Sequence, residues 1–532
     1  MVRKLGLVFR TIIHLKCKQI RYQIWYRLKT KLFKLSNYKV SKAWTFSPVA
    51  IKSDLILGSY KNKFVAPISF TFLNQAVEFK KTIDWNFLGN GKLWNYNLQY
   101  LDYLLDPNVP LDILQSILED CSNNLVSDNL KAEPYPVSLR IVNTAIFLSR
   151  HGNQSKLLDQ CLQMQINYLQ KNLEYHIEAN HLLENYLALC IAGLFYKDSG
   201  LFNKYFHKLI DTLNEQILDD GAHYERSPMY HKILLSKMLI LYEGLILSKN
   251  AQEELDILQQ KISKMLGWLK AFCFLDHSIA NFNDATHGIA PNVASIYTIA
   301  DSLKIPTANL KLNESGYRKL EASGMEVLIS IGKIIPSYQP GHAHSDLLSF
   351  CLNFKGQKIL VDTGLSTYQI GNKRNYERST LAHNTVTLNN ENQSEVWGGF
   401  RIGNRANPIT HIDEQNEVSA SHDGFFSKFG KMHFRSLKLI EGGILIADEL
   451  TGNGKNKFEA VARFHFDHSA NLIFERSKNA IIINGLLEFR FNSPTQIKEV
   501  VYEQALGYNS YQTATCIEAS FEQTLQTSIR AL

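Results

Sequence analysis

Three stretches of this chain concentrate side chains able to move protons or hold an anion. The densest is Pro340-Gly341-His342-Ala343-His344-Ser345-Asp346, followed by Val361-Asp362-Thr363-Gly364 and Ala382-His383-Asn384-Thr385. In an extended segment residues i and i+2 face one side, so His342 and His344 can point together. A turn at Lys355-Gly356 would fold two apolar runs into a hairpin and return Asp362 towards them, with His383 opening the next strand. Two imidazoles and a carboxylate suit a divalent metal such as zinc. They equally suit histidines hydrogen-bonded in a polar groove, and residue types alone leave both readings open. The second stretch is Asn180-His181-Leu182-Leu183-Glu184-Asn185, where Asn180 reads as a helix N-cap and Glu184 as a first-turn carboxylate. There Asn180 and His181 could project from a helix mouth into a cleft. In the third, Glu225-Arg226-Ser227-Pro228-Met229-Tyr230-His231, Ser227 and Pro228 fit an N-cap and a first helical residue and place Tyr230 in the first turn.

The elements that must position these residues fall into two classes. From about residue 95 to 305, apolar residues recur at three- and four-residue spacing in Leu111–Leu125, Val137–Arg150, His181–Tyr196, Phe202–Ile217, Met229–Leu247 and Leu255–Phe274. Successive helices without strands imply a bundle, solenoid or toroid, and the absence of a strict repeat argues against a solenoid. Beyond about residue 320 the period shortens to two. Met325–Ile335, Leu347–Phe354, Gln357–Val361, Asn384–Leu388, Glu417–Ser421, Phe434–Leu439, Gly443–Asp448, Ala460–Phe466, Ala480–Ile483 and Leu487–Phe491 read as short strands of an antiparallel sandwich. Chemistry is then expected in the groove between the halves. The divisions are 1–90 as a basic arm and lead-in, 91–318 as the helical domain and 319–532 as the β domain.

Composition narrows the function classes. The chain of 532 residues carries a net charge of +7, but residues 1–53 hold thirteen Lys or Arg and no Asp or Glu. The rest is mildly acidic, so the uniform basic field of a nucleic-acid binder is absent. Leu5–Leu35 reads as one basic amphipathic helix, packed on the body or touching a membrane surface or an anionic glycan. The seven scattered cysteines form no CxxC pair and read as buried free thiols. No apolar run is long enough for a spanning helix and no signal peptide is evident, which favours a cytoplasmic location or one peripheral to the inner membrane, with the periplasm or envelope as the alternative. GxSxG, Walker and HExxH signatures are missing.

Taken together, Lys92–Asn97, Pro134–Arg140, Asn180–Asn185, Glu225–His231, Phe282–Asp284, Pro340–His344, Tyr376–Ser379, Ala382–Thr385 and Glu395–Phe400 resemble, in order, the heparinase II/III-like polysaccharide lyases, relatives of the oligoalginate lyases. The resemblance implies an α+β chain: an incomplete (α/α) toroid followed by an antiparallel β-sandwich, cleaving a uronate-containing polysaccharide by β-elimination. It implies that Asn180 and His181 neutralise the uronate carboxylate, that Tyr230 and His342 are catalytic, and that Tyr376 lies near a second active-site tyrosine. Arg140, Asn143, Glu184, Arg226, Arg378 and Trp397 become candidate substrate contacts. His344, Asp362 and His383 become ligands of a mainly structural metal, with zinc the favoured ion. An acidic polysaccharide is the expected partner and nucleic acid is not. The long basic arm is similar to that of relatives associated with surface-polysaccharide assembly. The other classes in play are a non-catalytic acidic-glycan-binding protein and a glycan hydrolase or transferase on the same scaffold.

Overall fold

The computed structural model describes residues 2–29, 34–38, 63–65, 68–152, 155–248, 251–454, 457–475 and 479–532. Two helices open the chain, α1 (Val2–Ile12) and α2 (Cys17–Lys29). The single helix expected over Leu5–Leu35 is therefore broken at residues 13–16. There the Gln19 side chain accepts from the Lys16 amide at 2.9 Å, while the Lys16 ammonium reaches Glu178 and Glu215 at 2.9 and 2.8 Å. Residues 30–33 of that expected helix, and most of the basic stretch from 39 onwards, lie outside the described residues.

The helical half contains α3 (Lys92–Tyr100), α4 (Leu111–Val126), α5 (Pro134–His151), α6 (Lys156–Lys171), α7 (Ala179–Phe195), α8 (Ser199–Gln216), α9 (Pro228–Leu247), α10 (Gln252–Phe272) and α11 (Val293–Ser302). Helices α3, α5, α7 and α9 pack in sequence as an inner row, and α4, α6, α8 and α10 pack outside them. Sequence explains the layering. Every residue of α7 except His181 is buried, as befits a helix apolar on all sides, whereas α8 buries Leu201, Tyr205, Leu209 and Leu213 on one stripe. The expected helices agree with these to within about four residues at their ends. Helix α6 escaped the periodicity because buried Gln163 and Gln165 interrupt its apolar face.

Among the described residues the β half forms three large antiparallel sheets and a two-stranded ribbon, Val396–Trp397 with Arg401–Ile402. Tyr317–Ala322, Met325–Ser330, Phe350–Phe354 and Gln357–Leu360 make a four-stranded meander. Its last hairpin turns at Lys355-Gly356, both at positive φ (49° and 76°), where the sequence placed it. A second four-stranded sheet runs Gln496–Gly507, Ser510–Phe521, Ala460–His465, Val386–Leu388. The third has eight strands, with Met432–Ile440, Gly443–Thr451 and Thr524–Ala531 adjacent at its centre. One apolar core, including Phe350, Phe464, Phe489 and Ile529, lies between the sheets. A three-stranded sheet (Phe64–Val65, Ser69–Phe72, Gln75–Glu78) belongs to neither half and bridges them: Asn74 donates to the Tyr508 carbonyl at 2.9 Å, and Asn509 to that of Leu73 at 3.0 Å. All seven cysteines are free; six are buried and Cys17 is exposed. Among the described residues no helix is long and apolar enough to cross a membrane.

Candidate active site

A cleft of about 880 Å³ opens between the halves. Its helical wall is built from the four inner helices: Lys92, Tyr135, Asn180, His181 and Tyr230 come from their first turns, and Tyr96, Tyr100, Asn143 and Lys237 from farther along. Each helix N-terminus carries a partial positive charge, so this wall favours an anion. The opposite wall supplies Gly341, His342, Tyr368, Phe400 and Tyr508. The many aromatic faces give sugar rings flat apolar surface to lie on.

Local backbone geometry aims the polar groups. Ser227 caps α9 as expected, accepting from the Tyr230 amide at 3.2 Å and donating its hydroxyl hydrogen to the Asp284 carbonyl at 2.6 Å. Asn180 does not cap α7. The cap residue is Glu178 (φ 62°), without a side-chain cap, and Ala179 follows at φ 50°. This left-handed entry costs a few kcal/mol in non-glycine residues. It leaves the Asn180 Oδ1 buried, unpartnered and on the cleft wall. Beside it, His181 Nδ1 meets Glu174 Oε1 at 3.1 Å, and its ring lies 4.4 Å from that of Tyr135. Burial disfavours the imidazolium, but the Glu174 carboxylate outweighs it and raises the His181 pKa above its usual value.

At the far wall a buried carboxylate organises the chemistry. Asp284 accepts from His342 Nδ1 at 2.9 Å, His344 Nε2 at 2.8 Å and Arg374 Nη2 at 2.7 Å, with Arg374 Nη1 on its other oxygen. Burial pushes this carboxyl up, yet Arg374 and the two imidazoles hold it well below the usual range. The i, i+2 pair thus points together, as expected, and Asp284 is what gathers it. The His342 ring lies 4.0 Å from that of Tyr230. The Tyr230 and Tyr368 hydroxyls are 2.9 Å apart, and Tyr368 reaches His342 Nδ1 at 3.4 Å. Burial raises the Tyr230 and Tyr368 pKa values, so both phenols stand protonated. Glu225, buried behind His342, sits 3.9 Å from His342 Nε2; burial raises its pKa.

Asn180, His181, Tyr230, His342 and Asn143 therefore share one cleft; the others are placed elsewhere. Tyr376 is on the short helix α12 (Asn372–Glu377), half-buried beside Cys516, Arg463 and Glu518, away from the cleft. The tyrosine that meets Tyr230 in the cleft is Tyr368, eight positions earlier. Arg140 is locked in the helical core by Gln165 and the Gln99 carbonyl (2.6 and 3.1 Å). Arg226, at φ 57°, donates to Gly332, Lys333 and Ser330, tying α9 to the β half. Arg378 supports the His342 loop by donating to the Ala343 carbonyl at 3.0 Å. Trp397 donates to Thr11 at 3.1 Å, and Glu184 is buried well inside α7, beyond its first turn. His383 Nδ1 bonds Asp362 Oδ2 at 2.8 Å, and the His344 and His383 rings are 5.3 Å apart. Among the described residues no group of three or more His, Cys, Asp or Glu is arranged to hold a metal, because Asp362 is turned to His383 Nδ1.

Sequence reading missed Tyr368, Asp284 and Arg374. Phe282-Asn283-Asp284 carries the resemblance without a role for Asp284, and nothing in its spacing shows that a counter-charge must be near. Arg374 is that counter-charge. Tyr368 sits in an irregular loop and leaves no periodic trace.

Comparison with known proteins agrees with the architecture. Residues 146–305 match the family model described as "Heparinase II/III N-terminus", and residues 305–531 match "Heparinase II/III-like, C-terminal". A heparin-sulfate lyase of Bacteroides stercoris is 23% identical over 467 residues, covering 79% of this chain and 65% of that protein. One of Pedobacter heparinus is 23% identical, covering 67% of this chain and 56% of that protein. The chain thus spans somewhat less than two thirds of the length of these relatives. A crystal structure of heparinase III superposes with a TM-score of 0.71 at 15% identity, covering 94% of this chain and 88% of that one.

Proposed function

Because the chain belongs to the heparinase II/III-like family, we propose that it is a polysaccharide lyase that cleaves a uronate-containing acidic polysaccharide by β-elimination. The observation that carries this reading is the meeting of Tyr230, Tyr368 and the Asp284-held His342 across the cleft from Asn180 and His181. Elimination takes the C5 proton, uses its bonding electrons to form the C4–C5 double bond, and expels the C4 oxygen, which must gain a proton. Asn180 and a protonated His181 stabilise the charge that develops on the uronate carboxyl group. Tyr230, protonated at the start, donates to the departing oxygen. His342, with Nδ1 fixed on Asp284, offers its other nitrogen to the C5 proton. The charge at the carboxylate is thus met by Asn180 and His181, while the protons move through Tyr230 on the same helical wall and His342 on the β wall.

The metal expectation continues as a proposal with one ligand changed: Asp346 takes the place expected for Asp362, which is turned to His383 Nδ1. His344 Nδ1 and His383 Nε2 are buried without partners, as is Asp346 Oδ2, and their other imidazole nitrogens are held by Asp284 and Asp362. Carboxylate-held imidazoles of this kind suit a divalent ion such as zinc. Bound there, it would brace the loop carrying His342. Elemental analysis, with thermal melting before and after chelation, tests this.

The activity test incubates the protein with a panel of acidic polysaccharides, sulfated and unsulfated, and follows the ultraviolet absorbance of the unsaturated uronate. Absorbance growing with new reducing ends supports the lyase. New reducing ends without absorbance would indicate a hydrolase, and binding without either would indicate a glycan-binding protein. We propose a role in surface-polysaccharide metabolism, peripheral to the inner membrane.

A further inference from the structure

Helices α1 and α2 are oriented against the usual rule. On α2 the residues turned to the body are polar: Gln19 donates to the Ile177 and Tyr338 carbonyls at 3.3 and 3.4 Å, the Tyr22 ring lies 4.8 Å from that of Tyr175, and Tyr26 donates to the Leu173 carbonyl. On α1, Arg10 pairs with Glu395 at 2.8 Å and Thr11 accepts from Trp397. The apolar residues point outward instead. Leu5, Phe9 and Ile13 on and just beyond α1, and Ile20, Ile24 and Leu28 on α2, are exposed by 36 to 68%. Each set repeats at four residues, so each forms a continuous stripe along its helix. A helix that merely packed on the body would bury these residues and expose the glutamine and arginine.

We propose that α1 and α2 form a docking surface for an anionic lipid bilayer. Two observations select that occupant. The first is the exposed apolar stripe, which is adjacent to exposed Trp25, a residue suited to the boundary between headgroups and acyl chains. The second is charge: Lys18, Arg21 and Arg27 are exposed beside it, and residues 1–53 contain no Asp or Glu. Anionic headgroups complement such a surface, whereas a second copy of the same face would oppose cation to cation. The polar sides of the two helices grip both halves of the molecule, through Glu395 and Trp397 in one and Glu178 and Ile177 in the other. Ile177 itself lines the cleft, so a bilayer under the arm lies close to the cleft entrance. The proposal is independent of the lyase reading.

The test is co-sedimentation of the full chain with vesicles of phosphatidylcholine alone or mixed with phosphatidylglycerol. The wild type is expected to sediment with the mixed vesicles and to be partly released by salt. The triple variant I20S/I24S/L28S changes only exposed side chains, so its thermal melt should match the wild type while its vesicle affinity falls at least about tenfold. Arg21→Glu should lower binding to the mixed vesicles less. A wild type that stays in the supernatant, or a triple variant that sediments equally, would overturn the proposal. So would a lipid-free wild-type dimer that the triple variant converts to monomer, which would identify a second copy as the occupant.

Discussion

Two buried carboxylates in this molecule are dressed almost alike. Asp284 holds His342, His344 and Arg374; Asp448 holds His433 Nε2 at 2.7 Å and Arg435 through Nε and Nη2 at 2.7 and 3.0 Å. Their settings differ. Asp448 and Arg435 face each other on neighbouring strands of one sheet, and His433 is fully enclosed, its other nitrogen 3.3 Å from His422. Asp284 lies on the loop after α10, while its partners come from the β half, and His342 keeps an edge open to the cleft. The same ionic chemistry is a staple when closed inside one sheet. It becomes a candidate site when it joins two halves and leaves one imidazole facing a groove. Recognising a site therefore depends less on which residues meet than on where the last of them points.

The sharpest way to separate the two clusters is at Tyr230. Tyr230→Phe keeps the ring against His342 and removes only the hydroxyl, so turnover should fall about 10²- to 10⁴-fold with melting unchanged. Steady-state rates on the preferred polysaccharide check it, and near-wild-type turnover would move proton transfer to Tyr368 or His342.

Breaking the carboxylates comes next. Asp284→Asn and Asp448→Asn should each cost about 3–5 kcal/mol of stability, because each leaves a buried guanidinium without its counter-charge. Denaturant unfolding measures this. Below the melting temperature only the Asp284 variant should lose activity per folded molecule. Equal loss from both would erase the distinction drawn here.

Acid should sharpen the comparison. The Asp448 carboxyl is lowered to about 2, the upward push of burial being outweighed by Arg435 and His433. Since its folded pKa lies below its unfolded one of about 3.9, its contribution is fully present above that value and is lost as pH falls towards 2. The β half should therefore outlast mild acid, as near-ultraviolet dichroism can follow.

His181 responds in the opposite direction. Its pKa is raised by Glu174 against burial; if the protonated form binds the uronate as proposed, affinity is retained below that raised pKa and lost as pH rises through it. KM should climb above about pH 6.5, and Glu174→Gln should start the climb earlier. The smallest effect is expected at Tyr376, where Tyr376→Phe should change turnover less than about twofold, since a half-buried side chain away from the cleft has little influence there.

Much of the architecture was legible because period and fold class are tightly linked: α9 reads from Pro228 to Leu247 in both sequence and structure, and the Lys355-Gly356 turn needed only its glycine. The failures share a cause. Arg140, Arg226 and Arg378 are candidate substrate contacts through the resemblance, but an arginine can as readily satisfy backbone carbonyls within the protein, and only the fold shows which it does. Tyr368 and Asp284 act from irregular loops, where side-chain direction follows from long-range packing and not from spacing. Helix α2 shows the limit most plainly. Its mixed composition reads as a basic amphipathic helix, yet which face turns inward was set by Gln19, Tyr22 and Tyr26 finding carbonyls and rings to meet.

The left-handed entry into α7 carries a consequence for the heat tolerance of this protein. Glu178 and Ala179 together hold about 2–6 kcal/mol of backbone strain, a sizeable share of the margin by which a protein stays folded. Ala179→Gly would relax part of it and loosen the presentation of Asn180. Variants selected for thermal robustness and variants selected for turnover should thus diverge at these two positions, each improving on one property at the other's expense.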